Sequence, residues 1–539
     1  MACTRAWLLI GLTAAACSSR DAGEGAKTRS EPTSVAPAKP VAAAPDDRYS
    51  AGALGALTFE VSSGSPEARA SFNRGLLALH SFWYDEAIRQ FDAAMAADPK
   101  MNMAHWGAAM SRCKLLWGED DLRAARDVLG RMPHPESLSA REEAWVMAAI
   151  ELVREGDVRA SRKKFAAAME QVHAQFPDDE SATFLAIALL STTRPEDPDT
   201  LAVRERVAEL ARGVHKRNPK HPGAAHYLIH AYDTPDLAAK ALPFAHDYAK
   251  LAPAAFHARH MPAHIFSRLG MWDEAIASCQ SAWDASVAAA RREKLSANHH
   301  DFHSLTWLIE MNFELGKRKE ADAALKVFET AVRSGLGHQH RAAYAAQVAS
   351  YVKRTGEPAR VDDLLAALET PPANDAAPVP AAGAPPGAPP GAPPGAPMTR
   401  AEPKSHCAPG STSSPMELLE QVSVLDTRAR AASMERSLPK TRSFIAELDA
   451  ANAKLRPFFE TTQPKDVLVK TDEAHARRRA ALLARAAGDD RALLKVLRAS
   501  EADAGSETGG ESNPSGFVVQ EEIADTLLRL NDAKAASAE

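Results

Sequence analysis

A 34-residue recurrence limits what this chain can fold into more than any other feature. The histidine pairs His226/His230 and His260/His264 are displaced by 34 residues (260 − 226 and 264 − 230), and so are Ala241/Ala275 and Pro219/Pro253. A period of this length marks helical hairpins, each unable to bury its apolar face alone, that stack on their neighbours into an array. The stretch "FNRGLLALHSFWYDEAIRQFDAAMAADP" shows the unit. Gly75 and Ala87 let two antiparallel helices approach closely, Phe91 fills the gap between them, and Pro99 ends the second helix because it has no N–H to donate. Alanine-rich segments with few β-branched runs favour helix over strand throughout.

Gly75, Tyr84, Ala87, Phe91, Ala94 and Pro99 fall where a tetratricopeptide repeat places its small, aromatic and terminating residues. The frame continues in "RLGMWDEAIASCQSA" (Gly270, Trp272, Ala275, Ala282) and in "ELGKRKEADAALKVFETA" (Gly316, Ala321), with weaker units elsewhere. Together, "HPGAAHYLIHAYDTP", "LAPAAFHARHMPAHIFSRLGMWDEAI" and "DFHSLTWLIEMNFELG" resemble a group of bacterial tetratricopeptide repeat proteins that share these histidine-bearing segments. The resemblance spans about residues 65–370. It implies an all-α fold, a right-handed α-solenoid of helical hairpins, and it implies no reaction.

Of 19 histidines, six form i, i+4 pairs: His226/His230, His260/His264 and His299/His303. Residues four apart share a helix face, so each pair presents two imidazoles in one direction, half of a zinc, iron or copper site. In tetratricopeptide repeat proteins the first helix of each unit lines the concave groove. Carried over by that resemblance, the groove is lined by His226, His230 and Asp233, then by His257, His260, His264 and Arg268, then by His303, Thr306, Glu310 and Glu314. His299 falls before its helix and drops out. Neighbouring first helices stand about 10 Å apart, so imidazoles can converge between them. Five of them, His226, His230, His260, His264 and His303, are candidate ligands for one ion or two, with Glu310 or Asp233 as base or extra ligand. His257, Arg268, Thr306 and Glu314 are expected to line the groove. Trp83, Trp106, Trp145, Trp272 and Trp307 read as packing between helices, and His338 and His340 as a surface loop. The arginines of "ARRRAALLAR" read as a solvated face.

The N-terminus combines Arg5 with an apolar run from Ala6 to Ala16, too short to span a bilayer. It reads as an export signal over residues 1–16, and "TAAAC" resembles a lipoprotein cleavage box that makes Cys17 the lipidated first residue. A plain secretory signal cut near Ala16 is the alternative. Residues 17–50 read as a disordered tether, 51–370 as the solenoid, 371–415 as a Pro/Gly/Ala-rich linker, and 416–539 as a C-terminal helical region. With Cys3 and Cys17 set aside, only Cys113, Cys279 and Cys407 remain, and no CxxC pair suggests a thiolate metal site.

Lys+Arg 64 against Asp+Glu 70 leaves a net charge of -6 with both signs interspersed, so no nucleic acid is expected as partner. No GxSxG, P-loop or dinucleotide fingerprint occurs. The first expectation is an exported, lipid-anchored scaffold of the cell envelope whose groove binds a protein or peptide, with membrane contact only through the lipid. The alternative is a metal-binding protein or metal-dependent enzyme, a hydrolase or oxidase, with the histidine cluster holding zinc, iron or copper.

Overall fold

The computed structural model describes residues 53–62, 65–117, 121–154, 156–193, 197–372, 414–462, 465–504 and 518–532. The expected signal, tether and lipidated Cys17 lie outside the described residues, as does nearly all of the Pro-rich linker. Regular structure among the described residues is entirely helical, and no described helix is long and apolar enough to cross a membrane.

The helices pair in sequence. They run α1 (Pro66–His80) and α2 (Tyr84–Ala97); α3 (Asn102–Cys113) and α4 (Leu122–Leu129); α5 (Ala140–Val153) and α6 (Val158–Gln175); α7 (Asp179–Leu190) and α8 (Thr200–Arg217); α9 (Pro222–Tyr232) and α10 (Ala238–Leu251). Then come α11 (Phe256–His260) and α12 (Pro262–Arg268), against α13 (Trp272–Glu293), followed by α14 (Phe302–Glu314) and α15 (Arg318–Arg333), and by α16 (His338–Thr355) and α17 (Val361–Leu365). Each helix packs on the next, and together they form a solenoid of tetratricopeptide-like hairpins.

The local chemistry explains the units. A Cβ on Gly75 would meet the Phe91 ring at 2.8 Å, and one on Gly107 would meet it at 2.3 Å, so two glycine faces clasp one fully buried phenyl ring. Burying that ring stabilises the first two units by about 2–3 kcal/mol. Helix α2 ends at Ala97, two residues before Pro99. Gly270 and Gly316 stand at φ +71 and +65, where the chain reverses between the two helices of a unit and a side chain would be strained.

Two features position the site. The array curls so that α1 lies against α9, eight helices later in the chain. The helix carrying His260 and His264 is also broken into α11 and α12, because Pro262 has no N–H to continue the ladder.

Helices α18 (Pro415–Met434), α19 (Leu438–Thr462), α20 (Lys465–Ala487), α21 (Asp490–Ala504) and α22 (Val518–Arg529) follow the linker. They dock on the array: α18 packs on α16, and the Thr427 hydroxyl donates to Ala345 O at 2.8 Å. Glu420 accepts from Arg341 Nε at 2.9 Å and lies 2.6 Å from His338 Nδ1. His338 and His340 are therefore in the first turn of α16 rather than a surface loop, and His340 Nε2 donates to Asn298 O at 3.1 Å. Within the arginine run, Arg478 pairs with Asp426 and Arg479 with Asp449 at 2.8 Å, so these two arginines hold helices together instead of forming a purely solvated face.

Candidate metal centre

Six imidazoles gather where α9, α11, α12 and α14 meet. One turn of α9 separates His226 from His230, whose Nε2 atoms are 3.0 Å apart. His257, on α11, brings its Nε2 to 3.2 Å from His226 Nε2. Across the break at Pro262, His260 Nε2 and His264 Nε2 are 3.1 Å apart, and His303 joins them from the first turn of α14. The groups His226/His230/His257 and His260/His264/His303 each bring three ligand atoms within 4.8 Å of one another. Nitrogens bound to one tetrahedral ion at about 2.0–2.1 Å are themselves about 3.3 Å apart, so the observed spacing is compatible with ligands of one ion as well as with N–H···N bonds between the rings.

The far side of each ring decides which nitrogen carries the proton. His226 Nδ1–H donates to His80 O at 2.7 Å. His264 Nδ1–H donates to Asp233 Oδ2 at 2.9 Å, and Arg268 Nε donates to the other oxygen of that carboxylate at 3.0 Å. His260 Nδ1–H donates to Ser304 Oγ at 3.0 Å, because the Ser304 hydroxyl is itself committed to Asp301. In a neutral ring held this way, Nε2 is a lone pair pointing inward. The His260 and His264 Nε2 atoms stand 3.1 Å apart, a separation that suits an N–H···N bond as well as two ligands of one ion. Orientation of the outer nitrogen by a carbonyl or carboxylate is how ligating imidazoles are usually held.

Electrostatics favour the neutral rings. His226, His257, His260 and His264 are 0, 3, 0 and 1% exposed. Burial, reinforced by the neighbouring imidazoles, holds the first three well below the ordinary histidine range. Burial alone would raise Asp233, but His264 and Arg268 outweigh it and keep it a carboxylate. Behind His260, the buried Cys279 Sγ lies 3.4 Å from Nδ1, and desolvation pushes that thiol up, so it stays protonated.

Aromatic rings wall the cluster. Phe82, in the α1–α2 loop, packs 4.4 Å from the His226 ring and 5.2 Å from the His257 ring. Its backbone stands at φ +52, a costly conformation for a bulky residue, about 1–3 kcal/mol, and such outliers concentrate at functional sites. Trp307 lies 4.6 Å from His264, and Trp117 lies 5.7 Å from both His257 and His303.

No family model matches the chain, and no curated protein matches it. Among solved structures, it is similar to a chain in the structure of Naa15/Naa10 bound to HypK-THB, at 13% identity and a TM-score of 0.23. That likeness covers 88% of this chain and 62% of the other, so this chain spans about six-tenths of the length of the chain it matches.

The structure revises parts of the expected site. His226, His230, His260, His264 and His303 come together, and they fall into two triads, the second of the two arrangements expected. His257, expected only to line the groove, supplies the third nitrogen of the first triad. Asp233 orients His264 and is bound to Arg268, which corrects its assignment as a base. Glu310 belongs to neither triad: it accepts from Gln347 at 2.7 Å and Arg354 at 3.0 Å, and Glu314 shares that arginine at 2.6 Å. Both glutamates tie α14 to α16. The Thr306 hydroxyl caps the His303 carbonyl at 2.7 Å. His299 ends a short 3-10 turn before α14. Trp307, expected as packing between helices, stands against the imidazoles.

Three residues unforeseen from the sequence form a further cluster. His80, Glu180 and His221 are wholly buried, and the glutamate accepts from both Nε2 atoms at 2.9 Å. The Tyr227 hydroxyl donates to His80 Nδ1 at 3.0 Å, while His221 Nδ1 caps α9 by accepting from Ala224 N at 3.3 Å. Burial raises the Glu180 carboxyl, yet His221 and His80 together bring it down to about 2. The one local signal is the His-Pro pair that opens α9.

Proposed function

We propose that this chain is a helical-repeat protein that holds transition-metal ions in two three-histidine sites at the centre of its array. The observation that carries the reading is the convergence of six imidazoles in two groups of three, with the His260 and His264 Nε2 atoms 3.1 Å apart and both Nδ1 atoms committed elsewhere. Neutral imidazoles suit zinc, copper or iron(II) and disfavour magnesium or calcium, which want oxygen donors. Three protein ligands per ion leave a position open for water or substrate, the arrangement of a catalytic site rather than a closed structural one. Asp233, the carboxylate bonded to a triad member, is occupied by His264 and Arg268. A metal-bound water needs no separate carboxylate base, so a hydrolase and an oxidase both fit such a site.

The test is metal content. After loading with zinc or copper and removal of excess ion, the full chain is expected to retain metal, and a His230→Ala, His264→Ala double variant to retain little. Retention below about a tenth of an equivalent in the unmutated chain would sink the reading, because a ligand-rich site holds its ion tightly.

The protein- or peptide-binding scaffold is retained as a second role, on the extended surface that a solenoid offers. The histidine-lined stretch does not provide that surface, since Phe82 and Trp117 pack over rings that are almost wholly buried. Export and lipid anchoring at Cys17 complete the proposal, supported by Arg5, the apolar run and "TAAAC". Cys17→Ala should move the protein out of the membrane fraction; unchanged partitioning would argue against the anchor.

A further inference from the structure

Two features at the cluster are left unused by metal binding alone. The first is the spacing between the triads. Ring centroids within a triad lie as far apart as 6.5 Å, as for His230 and His257 or His264 and His303. Between the triads, His257 and His260 are 6.0 Å apart and His230 and His264 are 6.4 Å apart. The nearest rings of the two groups are thus no farther apart than the outermost rings within one of them. Each triad also keeps one half-buried member, His230 in the first and His303 in the second, and the single ring of Trp117 touches both triads through His257 and His303.

The second feature is a pair of donors. The indole nitrogens of Trp117 and Trp307 are buried without a hydrogen-bond partner. Trp307 as a whole is 2% exposed, and its ring packs 4.6 Å from His264 and 5.2 Å from His260. A buried N–H with no acceptor costs free energy that a native structure seldom tolerates without reason. The Trp145 nitrogen is also unpartnered, but its ring packs against Phe59, Trp106 and Phe184 with the Arg141 guanidinium over it, and no imidazole is among these neighbours. Trp117 and Trp307 stand among imidazoles, where a ligand on a bound ion would arrive.

We infer that the two triads are halves of one binuclear centre, and that it takes a small bridging anion, hydroxide or a like-sized donor, accepted between the ions and hydrogen-bonded by the Trp117 and Trp307 indoles. This rests on the metal-binding reading above. A bridging ligand needs ions close together, about 3.5–4 Å in two-metal sites, and triads whose nearest rings are no farther apart than the outermost rings within one of them permit that. The open coordination position of each three-histidine site is where the bridge attaches. The indole donors select a hydrogen-bond acceptor over a neutral apolar guest.

The experiment loads the full chain with copper(II), counts copper per chain, counts unpaired spins by electron paramagnetic resonance, and then titrates azide as the probe anion. Two coppers per chain with a spin count far below two is expected, because a bridge couples the spins, and azide should bind and change the absorption spectrum. A His303→Asn variant should hold one copper and show its full single-spin signal. Trp117→Phe and Trp307→Phe should each weaken azide binding by about tenfold, the worth of a hydrogen bond to a charged group. Two coppers with two full spins and no azide response would overturn the binuclear centre while leaving metal binding intact. Failure to retain copper or zinc at all would instead remove the metal reading and this inference with it. Unchanged azide affinity in both tryptophan variants would overturn the assignment of the donors.

Discussion

Two clusters of buried histidines lie side by side in this molecule, and they are built on opposite plans. In His80–Glu180–His221 a carboxylate sits between the rings and each ring nitrogen has a complementary partner, although these three also bring ligand atoms within 4.8 Å of one another. In the paired triads, imidazole faces imidazole, and three of the six rings are fixed by what holds their outer nitrogen. The same residue type therefore gives a carboxylate-bridged network in one place and imidazole-on-imidazole groups in the other. What decides is whether an acceptor of the opposite character is built in. The two are also joined: the His80 backbone carbonyl is what orients His226.

Breaking the first cluster should have the largest effect on folding. Glu180→Ala leaves two buried imidazole N–H groups without their acceptor and is expected to cost about 3–5 kcal/mol in urea denaturation. The half-buried His303→Ala should cost about 1 kcal/mol or less in metal-free protein. Equal losses in the two variants would erase the distinction between them. Next, Asp233→Asn should leave the fold in place while lowering metal affinity about 10–100-fold, measured by competition with a chelator, since it removes the carboxylate that fixes His264. A stability loss with unchanged affinity would make Asp233 purely structural.

Gly223→Ala probes the link between the clusters. Its Cβ would fall 2.6 Å from His80 Nδ1 and 2.7 Å from Thr183 Cγ2, so a destabilisation of about 1–3 kcal/mol is expected on thermal unfolding. A last expectation concerns pH. Glu180 titrates at about 2 in the folded chain against an ordinary value of 4.5, so the unfolded chain takes up the proton first. The resulting stability is fully present above 4.5 and disappears as pH falls through about 2. A Glu180→Gln variant should show a flatter stability profile over that window, and an unchanged slope would assign the acid sensitivity to other carboxylates.

Much of the architecture is legible from local pattern. Gly75, Phe91 and Pro99 state the hairpin because close approach, gap filling and helix termination are short-range steric facts. The 34-residue spacing of His226/His230 and His260/His264 states that imidazoles recur on one face, because helix periodicity carries a residue's direction along the chain. His257 joins the first triad from α11, which the break at Pro262 separates from α12 and so from the regular repeat frame. Glu310 misled for the complementary reason: its register points it toward the groove, but Arg354, from the next first helix, claims its charge.

What the sequence by itself determined is the repeating unit and the direction of its side chains, since both follow from interactions between residues a few turns apart. What only the tertiary structure decided is which distant residues share a site. His80, Glu180 and His221 are separated by 100 and 41 residues (180 − 80 and 221 − 180), and Phe82 and Trp117 come from the first two units to wall histidines of the fifth, sixth and seventh. They meet because small rotations between successive hairpins add up until α1 closes against α9. That sum is a property of the whole packed array, and no single repeat encodes it.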